Sequence, residues 1–209
     1  MSLQELLSEL SYESRELCYP KRINTIRSLG LDPINIENGI SQVVKTLEAK
    51  VRSFVVYGEP QSGKTEFMIA LACKLIDLDF ETIFIVMNDN TELETQNFDR
   101  FHSALDLNPT PLRDKQLESM PERELKINKQ RIIFCRKNSK NLQKLINNCR
   151  HFNKEKRVII DDEADFASPN TKINNKNKTA INKYLGELGG LEENGTGTYI
   201  GVTATPARL

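Results

Sequence analysis

Residues 53–65 of the chain read Ser53-Phe54-Val55-Val56-Tyr57-Gly58-Glu59-Pro60-Gln61-Ser62-Gly63-Lys64-Thr65. The first five of these residues are mostly apolar and β-branched or aromatic, which predicts a strand, and the residues from 64 to 77 have helical periodicity. Residues 58–65 between them fit the pattern G-x-x-x-x-G-K-[ST], in which glycines let successive backbone N–H groups approach an anion. The stretch therefore predicts a strand, a phosphate-binding loop and a helix in succession.

We expect this loop and the first turn of its helix to bind the phosphates of ATP. Lys64 would supply a mobile cation for the β- and γ-phosphates, and Thr65 would offer its hydroxyl to Mg²⁺, while the helix N-terminus adds partial positive charge. The expected nucleotide contacts are Gly58, Pro60, Gln61, Ser62, Gly63, Lys64, Thr65 and Glu66.

A later apolar run, 158–160, is followed by the carboxylates Asp161, Asp162, Glu163 and Asp165. Such a cluster at the end of a strand is costly through mutual repulsion unless a cation lies there, and open α/β sheets bind ligands at that edge. We therefore expect Asp162 to hold Mg²⁺ and Glu163 to activate the attacking water as a general base. The alternative is an acidic turn that caps the next element.

Short apolar runs alternate with helical patterns along the rest of the chain. Beyond the first strand, the runs are 82–86, 131–135, 157–160 and 198–202, and the helical patterns are 64–77, 91–105, 139–152 and 178–188. Strands that are apolar on both faces and separated by helices predict an α/β fold with a mainly parallel sheet and helices on both faces.

The segments outside these strands and helices predict an N-terminal helical lead-in and two surface loops. Residues 1–40 predict a helical lead-in, with a helix in the first seventeen residues and a break at Tyr19-Pro20, and 41–209 would be the nucleotide-binding lobe. The proline- and charge-rich stretch 107–130 and the Asn- and Lys-rich residues after Asp165 predict surface loops.

Composition excludes several classes of protein. The 209 residues carry 29 Lys+Arg against 29 Asp+Glu, and only 38% are hydrophobic, so neither a membrane span nor a strongly basic nucleic-acid coat is expected. The start of the chain lacks the features of a secretory signal, which favours a cytoplasmic location. The cysteines, Cys18, Cys73, Cys135 and Cys149, are too far apart to indicate a zinc or disulfide framework.

The zero net charge is the sum of two blocks. Residues 77–106 are mostly acidic among their charges and residues 136–157 mostly basic. These blocks are either solvated helix faces or, for the basic one, a surface that contacts phosphates.

Three segments together resemble the superfamily 2 helicase and translocase ATPases. Residues 58–65 match motif I, Asp162-Glu163-Ala164-Asp165 matches motif II, and Thr203-Ala204-Thr205 matches motif III. The resemblance implies a RecA-like P-loop ATPase lobe in which Lys64 and Glu163 are catalytic, Thr65 and Asp162 bind the metal, and Asp165, Thr203 and Thr205 couple hydrolysis to domain movement. It also makes Gln42 a candidate adenine contact.

Within that superfamily the chain looks closer to the bacterial Z-one domain ATPases of restriction and phage-defence systems than to RNA-unwinding proteins. The residues that carry this likeness are 61–65, 137–145, 160–165 and 199–206, and the loop lacks the Ala-x-Thr-Gly form of the RNA helicases. The resemblance implies DNA as a partner, contacted near the helix at 93–101, together with a second RecA-like lobe and a nuclease domain or subunit.

Because the second lobe of such motors supplies arginine fingers and only three residues follow Pro206, we expect the isolated lobe to hydrolyse ATP weakly. An alternative of another class is a nucleotide-dependent switch that acts through protein partners. A small-molecule kinase is disfavoured because no arginine-rich lid is evident, and a GTPase because no Asn-Lys-x-Asp motif occurs.

Overall fold

The computed structural model describes residues 17–58, 63–105, 109–121, 124, 130–164, 180–191 and 195–204. Within them, six strands form one sheet in the order β1-β6-β5-β2-β4-β3, and every pairing is parallel. The strands are β1 (Ser53–Tyr57), β2 (Thr82–Met87), β3 (Pro111–Arg113), β4 (Arg131–Arg136), β5 (Arg157–Asp162) and β6 (Thr198–Thr203). The predicted α/β, RecA-like parallel sheet is confirmed.

Helices cover both faces of this sheet, as predicted. They are α1 (Cys18–Ser28), α2 (Ile34–Glu48), α3 (Lys64–Asp77), α4 (Thr91–Ala104), α5 (Asp114–Ser119), α6 (Ser139–Asn148) and α7 (Ala180–Gly189). No helix among the described residues has both the length and the apolar run needed to cross a membrane.

The hydrophobic core has two halves because successive side chains of a strand point to opposite faces. On β2, Ile83 and Ile85 pack into the half formed with α2, α3 and α4, whereas Phe84 and Val86 pack into the half formed with α5, α6 and α7. The central strands are thus buried on both faces, which explains their nearly continuous apolar sequence.

The first strand departs from this pattern. β1 lies at the edge of the sheet, and its Val55 and Tyr57 are 42% and 54% exposed, while Phe54 and Val56 pack against the core. One face of β1 is therefore exposed, unlike the faces of the central strands.

The N-terminal segment also differs from expectation. Tyr19-Pro20 does not interrupt the helical structure but lies in the first turn of α1. Proline is tolerated there because the N–H that it lacks would have no partner within the helix. The backbone N–H groups of Cys18 and Tyr19 donate instead to the Asp77 carboxylate at 2.8 and 2.9 Å. The helix predicted before residue 17 lies outside the described residues.

The stretch 107–130 is not entirely a loop. It contains β3, where Pro111 starts an edge strand, and α5, whose Leu117 is buried in the core. Sequence reasoning missed both elements because they are short and flanked by prolines and charges. The loop predicted after Asp165 lies outside the described residues.

A buried arginine fixes the start of β5. The Arg157 guanidinium donates to the carbonyl oxygens of Cys149, Phe152 and Leu188 at 2.5, 2.6 and 3.2 Å. Burial lowers the pKa of Arg157, and the neighbouring Cys149 opposes that shift. Arg157 therefore joins the end of α6, the following turn and the end of α7 to the central strand.

Candidate nucleotide-binding and hydrolysis site

The sheet brings the predicted functional residues to one edge. β1 and β5 are both parallel to β6, so Gly58, Asp162 and Thr203 all lie where strands end. The Gly58 N–H donates to the Thr203 carbonyl oxygen at 2.9 Å, which ties the start of the phosphate-binding loop to the last strand. This carboxyl edge is where open α/β sheets bind their ligands.

The loop ends at Gly63, which caps the N-terminus of α3. Gly63 has φ +76°, a left-handed conformation that glycine adopts without strain, and a Cβ at this position would meet no atom within 4 Å. The requirement for glycine here is therefore conformational. The helix begins directly after Gly63, so Lys64 and Thr65 lie in its first turn, where backbone N–H groups have no partner within the helix.

Four predicted residues line one cavity of about 210 Å³: Lys64, Thr65, Asp162 and Glu163. The other described lining residues come from β2 and from α4 and the turn before it; they are Met87, Asn88, Leu93, Gln96, Asn97 and Arg100. The cavity thus combines the N-terminus of α3 with the carboxylates that end β5.

The Asp162 carboxyl is buried near the charges of Lys64 and Glu163. Burial raises its pKa to about 6, the Lys64 cation opposes the shift, and the Glu163 carboxylate adds to it. A bound cation would restore the favourable charge balance that burial removes.

Thr65 and Asp162 fit a Mg²⁺ ion that takes only some of its ligands from the protein. Asp162 offers a carboxylate and Thr65 a hydroxyl to the same cavity, and Mg²⁺ completes its shell with waters and phosphate oxygens. No cluster of three or more His, Cys, Asp or Glu side chains that could hold a metal occurs in the part of the chain that the structure describes. The Thr65 hydroxyl donates to Asn97 Oδ1 at 3.1 Å, so α4 orients it.

Glu163 lies just beyond the end of β5 in an unusual backbone conformation. Its φ is +54°, which is uncommon for a residue with a side chain and is typical of functional sites. The Asn88 amide, directly after β2, donates to Glu163 Oε2. Asn88 was not predicted, because its place directly after an apolar strand is visible in the sequence but the adjacency of that strand to β5 is not.

A second cavity, of about 740 Å³, adjoins the first. The residues Gly63, Lys64, Thr65 and Glu66 line it from α3 and the loop, and Arg22 lines it from α1. The guanidinium of Arg22 binds both oxygens of Glu66 at 2.6 Å, so this predicted nucleotide contact is engaged in an ion pair within the chain.

Some predicted residues are not placed at the site. Gln42 is exposed on α2, and neither of the two cavities at Lys64 includes it. The side chain of Thr203 is buried below the edge of the sheet. Five further predicted residues lie outside the described residues: Pro60, Gln61, Ser62, Asp165 and Thr205.

The comparison with known families agrees with this architecture. The family model described as "Type III restriction enzyme, res subunit" matches residues 36–208. No curated protein matches the chain. The match spans most of the sequence and includes the loop at 58–65, the end of β5 and the end of β6. The chain therefore belongs to the type III restriction enzyme res subunit family and has its superfamily 2 helicase-like P-loop domain.

Proposed function

We propose that the chain binds ATP with Mg²⁺ at the 210 Å³ cavity and hydrolyses it. The observation that carries this proposal is the convergence of Lys64, Thr65, Asp162 and Glu163, from two elements about a hundred residues apart, on one cavity. Phosphate-binding, metal-binding and water-activating groups are the three parts that ATP hydrolysis needs.

Each residue has a distinct role in this mechanism. Lys64 and the N-terminus of α3 stabilise the negative charge on the transferred phosphate, and Thr65 and Asp162 would hold Mg²⁺. When bound, Mg²⁺ neutralises the charge of the β- and γ-phosphates. Glu163 accepts a proton from the attacking water, and Asn88 orients its carboxylate.

DNA is the proposed substrate of this lobe, and its proposed partners are other domains or subunits. We propose that this lobe drives a DNA helicase or translocase of a restriction or phage-defence system, with a second RecA-like lobe and a nuclease domain or subunit. The likeness to Z-one domain ATPases supports the narrower assignment. Asp165, Thr203 and Thr205 would then couple hydrolysis to lobe movement, Gln42 would contact adenine, and the loop residues at 60–62 would bind phosphate.

We also propose that residues 1–40 are a lead-in to a RecA-like lobe at 41–209. The ion pair between Arg22 and Glu66 and the capping of α1 by Asp77 support a lead-in that is fastened to the loop-bearing helix.

Binding to duplex DNA at several salt concentrations separates the motor from a protein-docking switch. If the lobe contacts about three phosphates, its DNA affinity should fall roughly 40-fold between 50 and 200 mM salt, because the bound counterions are released in proportion to the contacts. Fluorescence anisotropy with a labelled duplex measures this slope. A chain that binds MgATP but shows no salt-dependent DNA affinity would favour the switch and contradict the motor.

A further inference from the structure

A buried lysine lies directly beneath the carboxylates of the site. Lys137 is the first residue after β4, and its side chain and that of Asp161 are both 0% exposed. The Lys137 Nζ lies 2.5 Å from Asp161 Oδ1. The sequence placed Lys137 in a basic block that was expected to be either a solvated helix face or a surface that contacts phosphates, and the burial of its side chain excludes a solvated position for this residue.

The ammonium group also binds the backbone that carries the site. Lys137 Nζ donates to the carbonyl oxygens of Asp162 and Glu163 at 3.2 and 3.1 Å. One ammonium group thus contacts oxygens of three consecutive residues, the first through an ion pair and the other two through hydrogen bonds. On the other side, the Tyr199 hydroxyl donates to Asp161 Oδ2 at 2.7 Å.

These contacts lie where the hydrogen-bonded pairing of β5 with its neighbouring strands ends. The register of β5 with β6 ends at Asp162, and that of β5 with β2 ends at Asp161. The next residue, Glu163, has φ +54°, so its conformation must be maintained by its surroundings. Lys137 supplies that support from the end of β4, which lies on the far side of β2 from β5.

Stability alone does not explain this ion pair. A buried ion pair contributes little net stability over well-packed apolar side chains, because desolvation of both charges offsets their attraction. Its distinctive property is geometric: one cation fixes three successive residues, of which two carry the proposed metal ligand and general base.

We propose that Lys137 is a positioning residue for ATP hydrolysis, holding the backbone of Asp162 and Glu163 so that their side chains meet Mg²⁺ and the attacking water. This inference rests on the proposed function. A displacement of about 1 Å in a catalytic group lowers rates by up to roughly a hundredfold, so loss of this support should be visible in kcat.

The test uses the neutral double variant Lys137→Met with Asp161→Asn, because Lys137→Met alone would leave the buried Asp161 carboxylate without its neighbouring cation. We expect kcat to fall by about tenfold to a hundredfold. The affinity for ADP without metal should stay within about twofold, since Lys64 and the loop are untouched, whereas the affinity of the ADP complex for Mn²⁺, measured by electron paramagnetic resonance, should fall about tenfold.

Arg157→Met is the matched control. Arg157 also donates to three buried carbonyl oxygens, but at the opposite end of β5. At a temperature where the variant is folded, its kcat and Mn²⁺ affinity should match those of the unchanged chain. This comparison separates a local effect on the site from a general loss of stability.

Each outcome decides the proposal. An unchanged kcat and Mn²⁺ affinity in the folded double variant would overturn it. If that variant does not fold, Lys137→Gln with Asp161→Asn keeps polar contacts within a similar volume but cannot reach both carbonyls, and it must show the same losses. If Glu163→Gln lowers hydrolysis and neither Lys137 variant does, only this inference fails; if Glu163→Gln has no effect, the proposed role of Glu163 as the general base fails as well.

Discussion

Replacing Glu163 with glutamine should lower the rate of ATP hydrolysis by about a hundredfold or more while leaving nucleotide affinity within about twofold. The amide keeps the shape of the side chain, and its oxygen can still accept the hydrogen bond from Asn88. It cannot accept a proton from water, so only the chemical step loses its general base. Nucleotide binding depends on Lys64 and the helix N-terminus, which are unchanged.

The rate is best measured in single turnovers with the chain in excess over radiolabelled ATP. We propose that the chain alone turns over slowly, on the order of 10⁻³ s⁻¹, because in the superfamily that its motifs resemble a second lobe supplies arginine fingers. Glu118→Gln, an exposed carboxylate on α5, is the control and should have no effect. A Glu163→Gln rate within threefold of the unchanged chain would exclude Glu163 as the base.

Arg157→Met should lower the free energy of unfolding by about 2–4 kcal/mol. The variant keeps the length and apolar stem of the side chain, so the packing loss is small. It removes charged donors from the carbonyl oxygens of Cys149, Phe152 and Leu188, which lie in the interior between β5, α6 and α7. Buried carbonyl oxygens without donors are costly, and three are affected together.

Urea denaturation followed by circular dichroism measures this change. Arg150→Met is the control, because Arg150 is exposed and the expected change is within about 0.5 kcal/mol. A loss below about 1 kcal/mol for Arg157→Met would show that water or neighbouring donors replace the guanidinium.

The parallel sheet and the phosphate-binding loop could be predicted because their signals are local. The apolar runs of β2, β4 and β5 are continuous, and a loop pattern with two fixed glycines and Lys64 rarely arises by chance. Lys64 and Asp162 are far apart in the chain, but each follows an apolar run, and the ends of parallel strands lie at one edge of the sheet. Fold class and the principal candidate residues therefore followed from pattern and spacing.

The contacts that refine the site could not be predicted in this way. Asn88 bonds to Glu163 75 residues away, and Lys137 bonds to the carbonyl oxygen of Asp162 25 residues away. Such partners depend on which strands become neighbours, and sequence alone does not give the strand order. Local signals also misled at Tyr19-Pro20, because proline is tolerated in the first turn of a helix.

Equilibrium binding of a fluorescent ATP analogue with Mg²⁺ to the unchanged chain and to Lys64→Ala tests whether this cavity binds ATP. Loss of a charged contact with phosphate should weaken binding by roughly 10-fold to 150-fold, whereas Lys45→Ala, at an exposed position on α2, should bind like the unchanged chain. If Lys64→Ala binds the analogue as tightly as the unchanged chain does, the nucleotide does not occupy the cavity at the N-terminus of α3, and the proposed ATP-binding site is wrong.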